Sequence, residues 1–309
     1  MARALVVGAN GFVGSHLVDS LVAAGHEVTA FGRFSSVGPM FTASGVRILR
    51  GEFLSRADLD LAVAGQDYVF HFLSTTNPAT AESDPSLDVR TNVVQTIELL
   101  EACVAAGVGH LYFASTGGAI YGPQGKSVYV ETDPTLPVSP YAIGKLSIES
   151  YLRYFEVMHG LRSTTFRISN PYGTRQPPHR RQGLIPIALR QIALGAPVVR
   201  FGDGSMVRDY LYVQDLVSMI TRTVGSVPNH KLYNLGSGVG HSVSEVFDAL
   251  RRVTGVDFAI EERAVPATFV DSVVLDTARF RAEFGDFPLT TLDEGVAHTY
   301  EEMRVNGRG

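Results

Sequence analysis

The chain has 309 residues, 45% hydrophobic and 18% charged, with a formal net charge of −5. This is the balance of a globular protein with a core, and the absence of a Lys/Arg run or basic stripe argues against nucleic acid as a partner. No stretch approaches the ~20 apolar residues of a membrane span, so no membrane partner is expected, and the N-terminal apolar run is too short for a secretory signal.

A cytoplasmic protein is expected. Its single cysteine, Cys103, falls in the run IELLEACVAAGV, which reads as a buried small hydrophobe in a reducing compartment. In chain order, Ala4–Val7 is a buried strand. Ser15–Ala24 follows as a helix with Leu17, Val18, Leu21 and Val22 on one face. Further strands are predicted at Val28–Phe31, Val46–Leu49, Tyr68–Phe72, Leu111–Ala114 and Thr164–Ile168, separated by helix-like sequence. The longest helical stretches are Leu87–Ala106 and Tyr141–His159. Such alternation predicts an α/β fold of Rossmann type, a doubly wound parallel sheet with helices on both faces.

After Asn170 the texture changes. PYGTRQPPHRRQG reads as a long loop, followed by a helix at Leu184–Leu194, a short strand at Val198–Phe201 and the segment GDGSMVRDYLYVQD. The expected organisation is a dinucleotide-binding domain over 1–170 and a smaller C-terminal α/β lobe over 171–309, with some segments returning to the main sheet.

Gly8, Gly11 and Gly14 are spaced G-x-x-G-x-x-G directly after the first strand and open the first helix. The first glycine permits a sharp turn, the second a close approach of backbone to a pyrophosphate, and the third tight packing of helix on strand. The phosphates would lie over the helix N-terminus, where free N–H groups favour negative charge. Asn10, Phe12 and Val13 belong to the same cofactor site. The second strand ends in Gly32-Arg33, where an NAD site usually carries an acidic residue for the ribose hydroxyls. Either Arg33 pairs with the 2′-phosphate of NADP, or it points to solvent and NAD binds through the rest of the site. The cofactor is therefore NAD or NADP, with a slight lean to NADP. Glu52, after the third strand, is placed either at the adenine edge or in solvent.

YAIGK sets Tyr141 and Lys145 one helical turn apart on one face. An ammonium and a positive nicotinamide near the phenol would favour phenolate, so that Tyr141 could act as a base near neutrality. FASTGGAIYG places Ser115 and Thr116 at the carboxyl end of a strand, where open sheets keep their sites.

The glycine turn, HFLS, Asn92, ASTGGAIYG, YAIGK, RISNPYG and GDGSMVRDYLYVQD occur in that order from residue 3 to about 240. Together they resemble the extended short-chain dehydrogenase/reductases, and among them the UDP-glucose 4-epimerase-like nucleotide-sugar epimerases and dehydratases. The resemblance implies Tyr141 as base, Lys145 as its partner and Thr116 as the neighbouring hydroxyl. His71 to Ser74, including Leu73, would line the cofactor, and Asn92 and Ser115 would support it. A nucleotide-sugar would be held by Asn170, Arg208 and Tyr210, with Asp209 helping to orient the diphosphate. Thr75, Thr76, Asn77, Gly117, Gln182, Gly183 and Leu184 are candidates for the sugar pocket. A plain ion pair of Arg208 with Asp203 or Asp209 is the alternative for that arginine. A homodimer is implied, and no metal is assigned.

Three features depart from the family pattern. Gly117 and Gly118 follow Thr116, and the segment to Tyr121 is one residue longer than in the usual epimerase pattern. The Asp-Glu pair of the sugar 4,6-dehydratases is absent there, which disfavours dehydration. In RAVPATFVDSVVLD, Pro266 and Phe269 stand where an Arg and an Asp often grip the diphosphate and ribose, leaving Arg263 as a possible substitute. The activity implied is 4-epimerisation through a 4-keto sugar. An NADPH-dependent 4-keto-sugar reductase and a non-catalytic NAD(P)-binding regulator remain as alternatives.

Overall fold

The structure is a computed structural model that describes residues 1–34, 38–177, 183–265 and 270–305. From the N-terminus the chain forms β1 (Arg3–Val7), α1 (Phe12–Ala23), β2 (Glu27–Gly32), β3 (Arg47–Arg50), α2 (Arg56–Val63) and β4 (Tyr68–His71). Then come α3 (Pro78–Ser83), α4 (Pro85–Asp88), a π turn (Val89–Val93), α5 (Val94–Ala106), β5 (His110–Thr116) and α6 (Gly117–Ile120). Next are β6 (Val128–Tyr129), α7 (Pro140–His159), β7 (Ser163–Ile168), β8 (Asn170–Tyr172), α8 (Leu184–Ala193), β9 (Val198–Phe201) and β10 (Val207–Tyr212). The remainder is α9 (Val213–Arg222), β11 (Leu232–Leu235), β12 (Gly240–Ser242), α10 (Val243–Thr254), β13 (Ile260–Arg263), β14 (Ser272–Leu275), α11 (Ala278–Phe284) and α12 (Leu292–Val305).

The chain divides into two compact units, Met1–Ile120 with Pro137–Arg167 and Val217–Tyr233, and Tyr121–Leu136 with Ile168–Leu216 and Asn234–Gly309. The main sheet has seven strands in the order β11-β7-β5-β4-β1-β2-β3. β1 pairs in parallel with both β2 and β4, so strand order reverses at β1. In an open α/β sheet that reversal leaves a crevice at the carboxyl ends of the two flanking strands. Here those ends lead into the glycine turn and into Phe72–Ser74. The first unit's core is aliphatic and aromatic, with Leu5, Val7, Phe31, Val69, Leu111 and Phe113 fully buried on the strands. Cys103 lies in the same core, fully buried as expected, and burial pushes its thiol far above the ordinary range.

Sequence signals fix the long helices. Ser139 caps α7 by accepting from the Ala142 amide, Pro140 occupies the first turn, and Gly160 in the left-handed region ends it. The predicted helix Leu87–Ala106 is not one helix. It is interrupted by the π turn at Val89–Val93, within which the side chain of Asn92 is buried and accepts from the Thr75 amide.

The second unit holds a five-stranded sheet, β12-β10-β14-β6 with β8 on β10, and a two-stranded β13-β9 sheet. β10 is shared along its length. Val207–Asp209 pair with β12, Val207 and Arg208 with β14, and Tyr210–Tyr212 with β8. A separate core of Ile185, Leu189, Val246, Phe247, Leu250 and Val296 packs α8, α10 and α12 together. No helix among the described residues is long and apolar enough to cross a membrane.

Candidate active site

The glycine turn has the geometry a dinucleotide needs. Gly8 has φ +89°, and a Cβ there would meet the Leu73 amide nitrogen at 2.9 Å. A Cβ on Gly14 would overlap the Gly8 carbonyl. Gly11 is the N-cap of α1 and offers no side-chain acceptor, so the amides of the first turn remain open to an anion. A Cβ at Gly8 or Gly14 would collide with backbone, so the tight turn requires glycine, and this turn with its open first-turn amides fits the pyrophosphate of a dinucleotide. Asn10, expected at the cofactor, braces the loop beyond β2. Its Oδ1 accepts from the Met40 amide at 2.8 Å and its Nδ2 donates to the Gly38 carbonyl at 3.4 Å. Phe12 packs edge-on to His16, and Val13 is half-buried at the helix start.

At the end of β2, the nearest group to a Cβ on Gly32 is the Phe34 ring at 3.8 Å, so the position is open. Arg33 is exposed. Arg50, in register with Gly32 on β3, donates to the Phe34 carbonyl at 2.9 Å. Glu52 is exposed, and its amide donates to Asp58.

Beyond β4 the expected residues converge on one another. Thr75 donates to Asn92 Oδ1 from its amide at 2.9 Å and its hydroxyl at 3.0 Å. Asn92 Nδ2 donates to Thr76 Oγ1 and to Asp88 Oδ1, each at 2.9 Å, and the Thr76 hydroxyl also donates to Asp88. Ser74 donates to the Thr76 carbonyl. Asn77, placed in the sugar pocket from sequence, forms a capping box with Thr80 on α3. His71 Nε2 is 2.9 Å from the Thr96 hydroxyl, and burial followed by the charge of Lys145 pushes the imidazole down to about 3.

Tyr141 and Lys145 lie one turn apart on α7. Lys145 is buried, and its Nζ donates to the Ala114 carbonyl near the end of β5 at 2.8 Å. The ammonium is 4.7 Å from the Phe113 ring centroid and 5.8 Å from that of Tyr141. Burial lowers Lys145 to about 8, opposed by the negative charges of Asp88 and Glu149. Lys145 by itself does not bring Tyr141 toward phenolate, a shift expected of the ammonium and a positive nicotinamide together. Burial, with Asp88 adding to it, holds the phenol up at about 12. Thr116 is buried at the end of β5, and Gly117 begins α6. Ser115 donates to Glu149 at 2.5 Å, and Glu149 is paired with Arg167 at 2.8 Å. Asp88, Glu149 and Arg167 were absent from the sequence reading. The available signal was helical spacing, since Asp88 is one turn before Asn92 and Glu149 one turn after Lys145.

In the second unit, Asn170 donates to the Asp209 carbonyl at 3.2 Å. Arg208 Nη1 donates to the Val207 carbonyl at 2.8 Å, and burial lowers its guanidinium from the usual range. Tyr210 meets the Tyr172 ring edge-on, and burial raises its phenol to about 12. Gly183, with φ +95°, caps α8, and Leu184 packs on the second core. Asp203 accepts from Ser205. Asp209, expected to help orient a diphosphate, is fully buried. It accepts from the Ser237 amide and hydroxyl and from the Gly238 and Leu275 amides at 2.7 to 3.2 Å. Burial raises its carboxyl, partly offset by these donors. Arg263, the possible substitute for the missing diphosphate ligand, pairs with Glu261 at 2.8 Å on an exposed strand. Gln182, Pro266 and Phe269 lie outside the described residues.

The glycine cradle at the sheet's reversal point and the Tyr/Lys turn against β5 both lie within the stretch that the family comparison matches. Residues 4–236 match the model of the NAD dependent epimerase/dehydratase family. The chain belongs to that family. It is an extended short-chain dehydrogenase/reductase, an enzyme family of Rossmann type. The chain is 33% identical to the UDP-glucose 4-epimerase of Mycolicibacterium smegmatis over 98% of both chains. It is also 33% identical to the dTDP-glucose 4,6-dehydratase of Streptomyces griseus, over 96% of this chain and 92% of that one. Among solved structures, the UDP-glucose 4-epimerase of Thermotoga maritima with UDP-glucose superposes with a TM-score of 0.92 at 32% identity, covering 98% and 99% of the two chains.

Proposed function

We propose that the chain is a nucleotide-sugar 4-epimerase, with a UDP-sugar as substrate, working on a bound nicotinamide dinucleotide. The observation that carries this reading is the fixed Lys145 ammonium on the Ala114 carbonyl, one helical turn from Tyr141, in the unit that also bears the glycine cradle. Gly8, Gly11 and Gly14 would hold the pyrophosphate. Tyr141 would take the proton of the sugar's 4-hydroxyl and return it after the sugar turns over. Thr116, beside it, would share a hydrogen bond with the same oxygen. Lys145 would hold the nicotinamide ribose, and Arg208 would supply a charged fork for the diphosphate. Bound in this way, an oxidised nicotinamide would bring the positive charge that draws down the Tyr141 phenol, and would accept and return a hydride at C-4. The acid pair that dehydration needs is missing after Thr116, where Gly117 and Gly118 stand, which favours epimerisation over dehydration.

The test is interconversion of UDP-glucose and UDP-galactose followed by NMR, with GDP-, dTDP- and CDP-sugars in parallel. Undiminished turnover by Tyr141→Phe on every sugar would sink the reading, and so would a lack of turnover by the parent protein on all of them.

A second reading, a 4-keto-sugar reductase drawing on NADPH, is favoured by the open Gly32 position flanked by Arg33 and Arg50. Those residues leave room and positive charge for a 2′-phosphate. Gly32→Asp should weaken NADP binding roughly tenfold or more and leave NAD binding nearly unchanged, because a carboxylate there repels the phosphate. Equal loss for both cofactors would place the 2′ position elsewhere.

A further inference from the structure

Gly144 stands inside YAIGK, in the body of a 20-residue helix, where glycine costs about 1 kcal/mol against alanine. The structure gives the reason. A Cβ on Gly144 would overlap Oδ2 of Asp88, which is buried against α7 at that point. Gly144 is three residues beyond Tyr141 and so shares a face of α7 with it, and the carboxylate seated there is near enough for its charge to act on both Tyr141 and Lys145. Its other oxygen is anchored by Thr76 and Asn92. Asp88 takes part in no ion pair among the described residues.

We propose that Asp88 is a positioning residue for the Tyr141–Lys145 pair, a fixed counter-charge seated in the gap that Gly144 leaves and locked by Thr76 and Asn92. A hydroxyl and an amide satisfy the carboxylate without neutralising it, so its negative charge still acts on the neighbouring ammonium and phenol. It favours the charged form of Lys145, against the burial that lowers that ammonium to about 8, and the protonated form of Tyr141, together with the burial that holds that phenol up at about 12. The role rests on the reading of Tyr141 and Lys145 as the proton-handling pair.

Other charges around Lys145 are accounted for. Glu149, one turn on, is paired with Arg167 of β7. His71 of β4 is held neutral. Glu82 of α3, Arg90 of the π turn and Glu101 of α5 are exposed, Glu98 of α5 is half-buried, and His110 of β5 is hydrogen-bonded to Thr164. Asp88 is thus the buried negative charge on this face without a cationic partner among the described residues.

The chain has three lysines, Lys126, Lys145 and Lys231. NMR of the full chain labelled with 13C at the lysine ε-carbon therefore gives three titrations, and Lys126→Gln and Lys231→Gln assign them. In the parent, Lys145 should titrate at about 8. In Asp88→Asn it should titrate about one unit lower. If that variant does not fold, Asp88→Ser, which is also neutral and smaller, should show the same direction. In the pH–rate profile of Asp88→Asn, both limbs should move to lower pH, a change that a purely structural role would not produce. An unmoved Lys145 titration in a folded neutral variant overturns the proposal, as does an unmoved profile. The NMR arm needs no substrate, so failure of the epimerase reading is seen separately, through Tyr141→Phe.

Discussion

Asp88 in the first unit and Asp209 in the second are both buried carboxylates, yet their surroundings give them different work. Asp209 is gripped by three backbone amides and a hydroxyl from segments far away in sequence, Ser237, Gly238 and Leu275. That carboxylate is a staple, joining β10 to β14 and to the turn after β11. Asp88 is held by two side chains and lies against a glycine beside Tyr141 and Lys145. Burial alone does not distinguish a site from a staple. The distinguishing feature is whether donors come from backbone that must be tied together, or from side chains that leave the charge facing ionisable neighbours.

The sharpest way to break this contrast is at the phenol. Tyr141→Phe should cost about 100- to 10,000-fold in kcat, the range for a lost general base, with little change in thermal melting. A comparable loss from a change at Asp209, without loss of stability, would erase the distinction between the two regions.

Asp209→Ala should cost about 3–5 kcal/mol of folding free energy, because several buried donors lose their acceptor together. Urea unfolding measures this, and hydrogen exchange should place the loosening in β10, β14 and residues 237–238. Protection that stays unchanged in those segments would mean that Asp209 is not a staple.

A smaller and opposing test uses pH. His71 is buried neutral, with its pKa held at about 3, whereas an unfolded histidine titrates near 6.5. Below 6.5 the unfolded chain therefore binds a proton that the folded chain refuses, and stability falls as pH falls. Between pH 7 and pH 5 the loss from this group should be about 2 kcal/mol. His110, lowered to about 4, acts in the same direction. Hydrogen exchange corrected for intrinsic rates should show the first unit's core weakening, and a His71→Gln variant should flatten the slope.

Much of the first unit was legible because its signals are local. The alternation of strands and helices, the glycine spacing of residues 8, 11 and 14, and the capped helix carrying Tyr141 and Lys145 can all be read from windows shorter than ~20 residues. The π turn was hidden, because the side-chain partners of Asn92, Thr75 and Thr76, lie 16 to 17 residues earlier and leave no mark on the local helical pattern. Asp88 was hidden for a related reason, since its importance depends on Gly144, 56 residues on in a different helix. The second unit was least legible. β8, β12 and β14 are three or four residues long, and what stabilises them is pairing with β10 across long sequence separations. Arg263, a candidate for the diphosphate from sequence, stands on an exposed strand, and its pairing there with Glu261 could not be read from the motif.

The solitary thiol gives the first unit a built-in clock. Cys103 is fully buried among Leu99, Leu100 and Phe113, and its thiolate is suppressed by that burial. An alkylating reagent can reach it only when this core opens, so the time course of labelling counts openings in otherwise native protein without any introduced reporter.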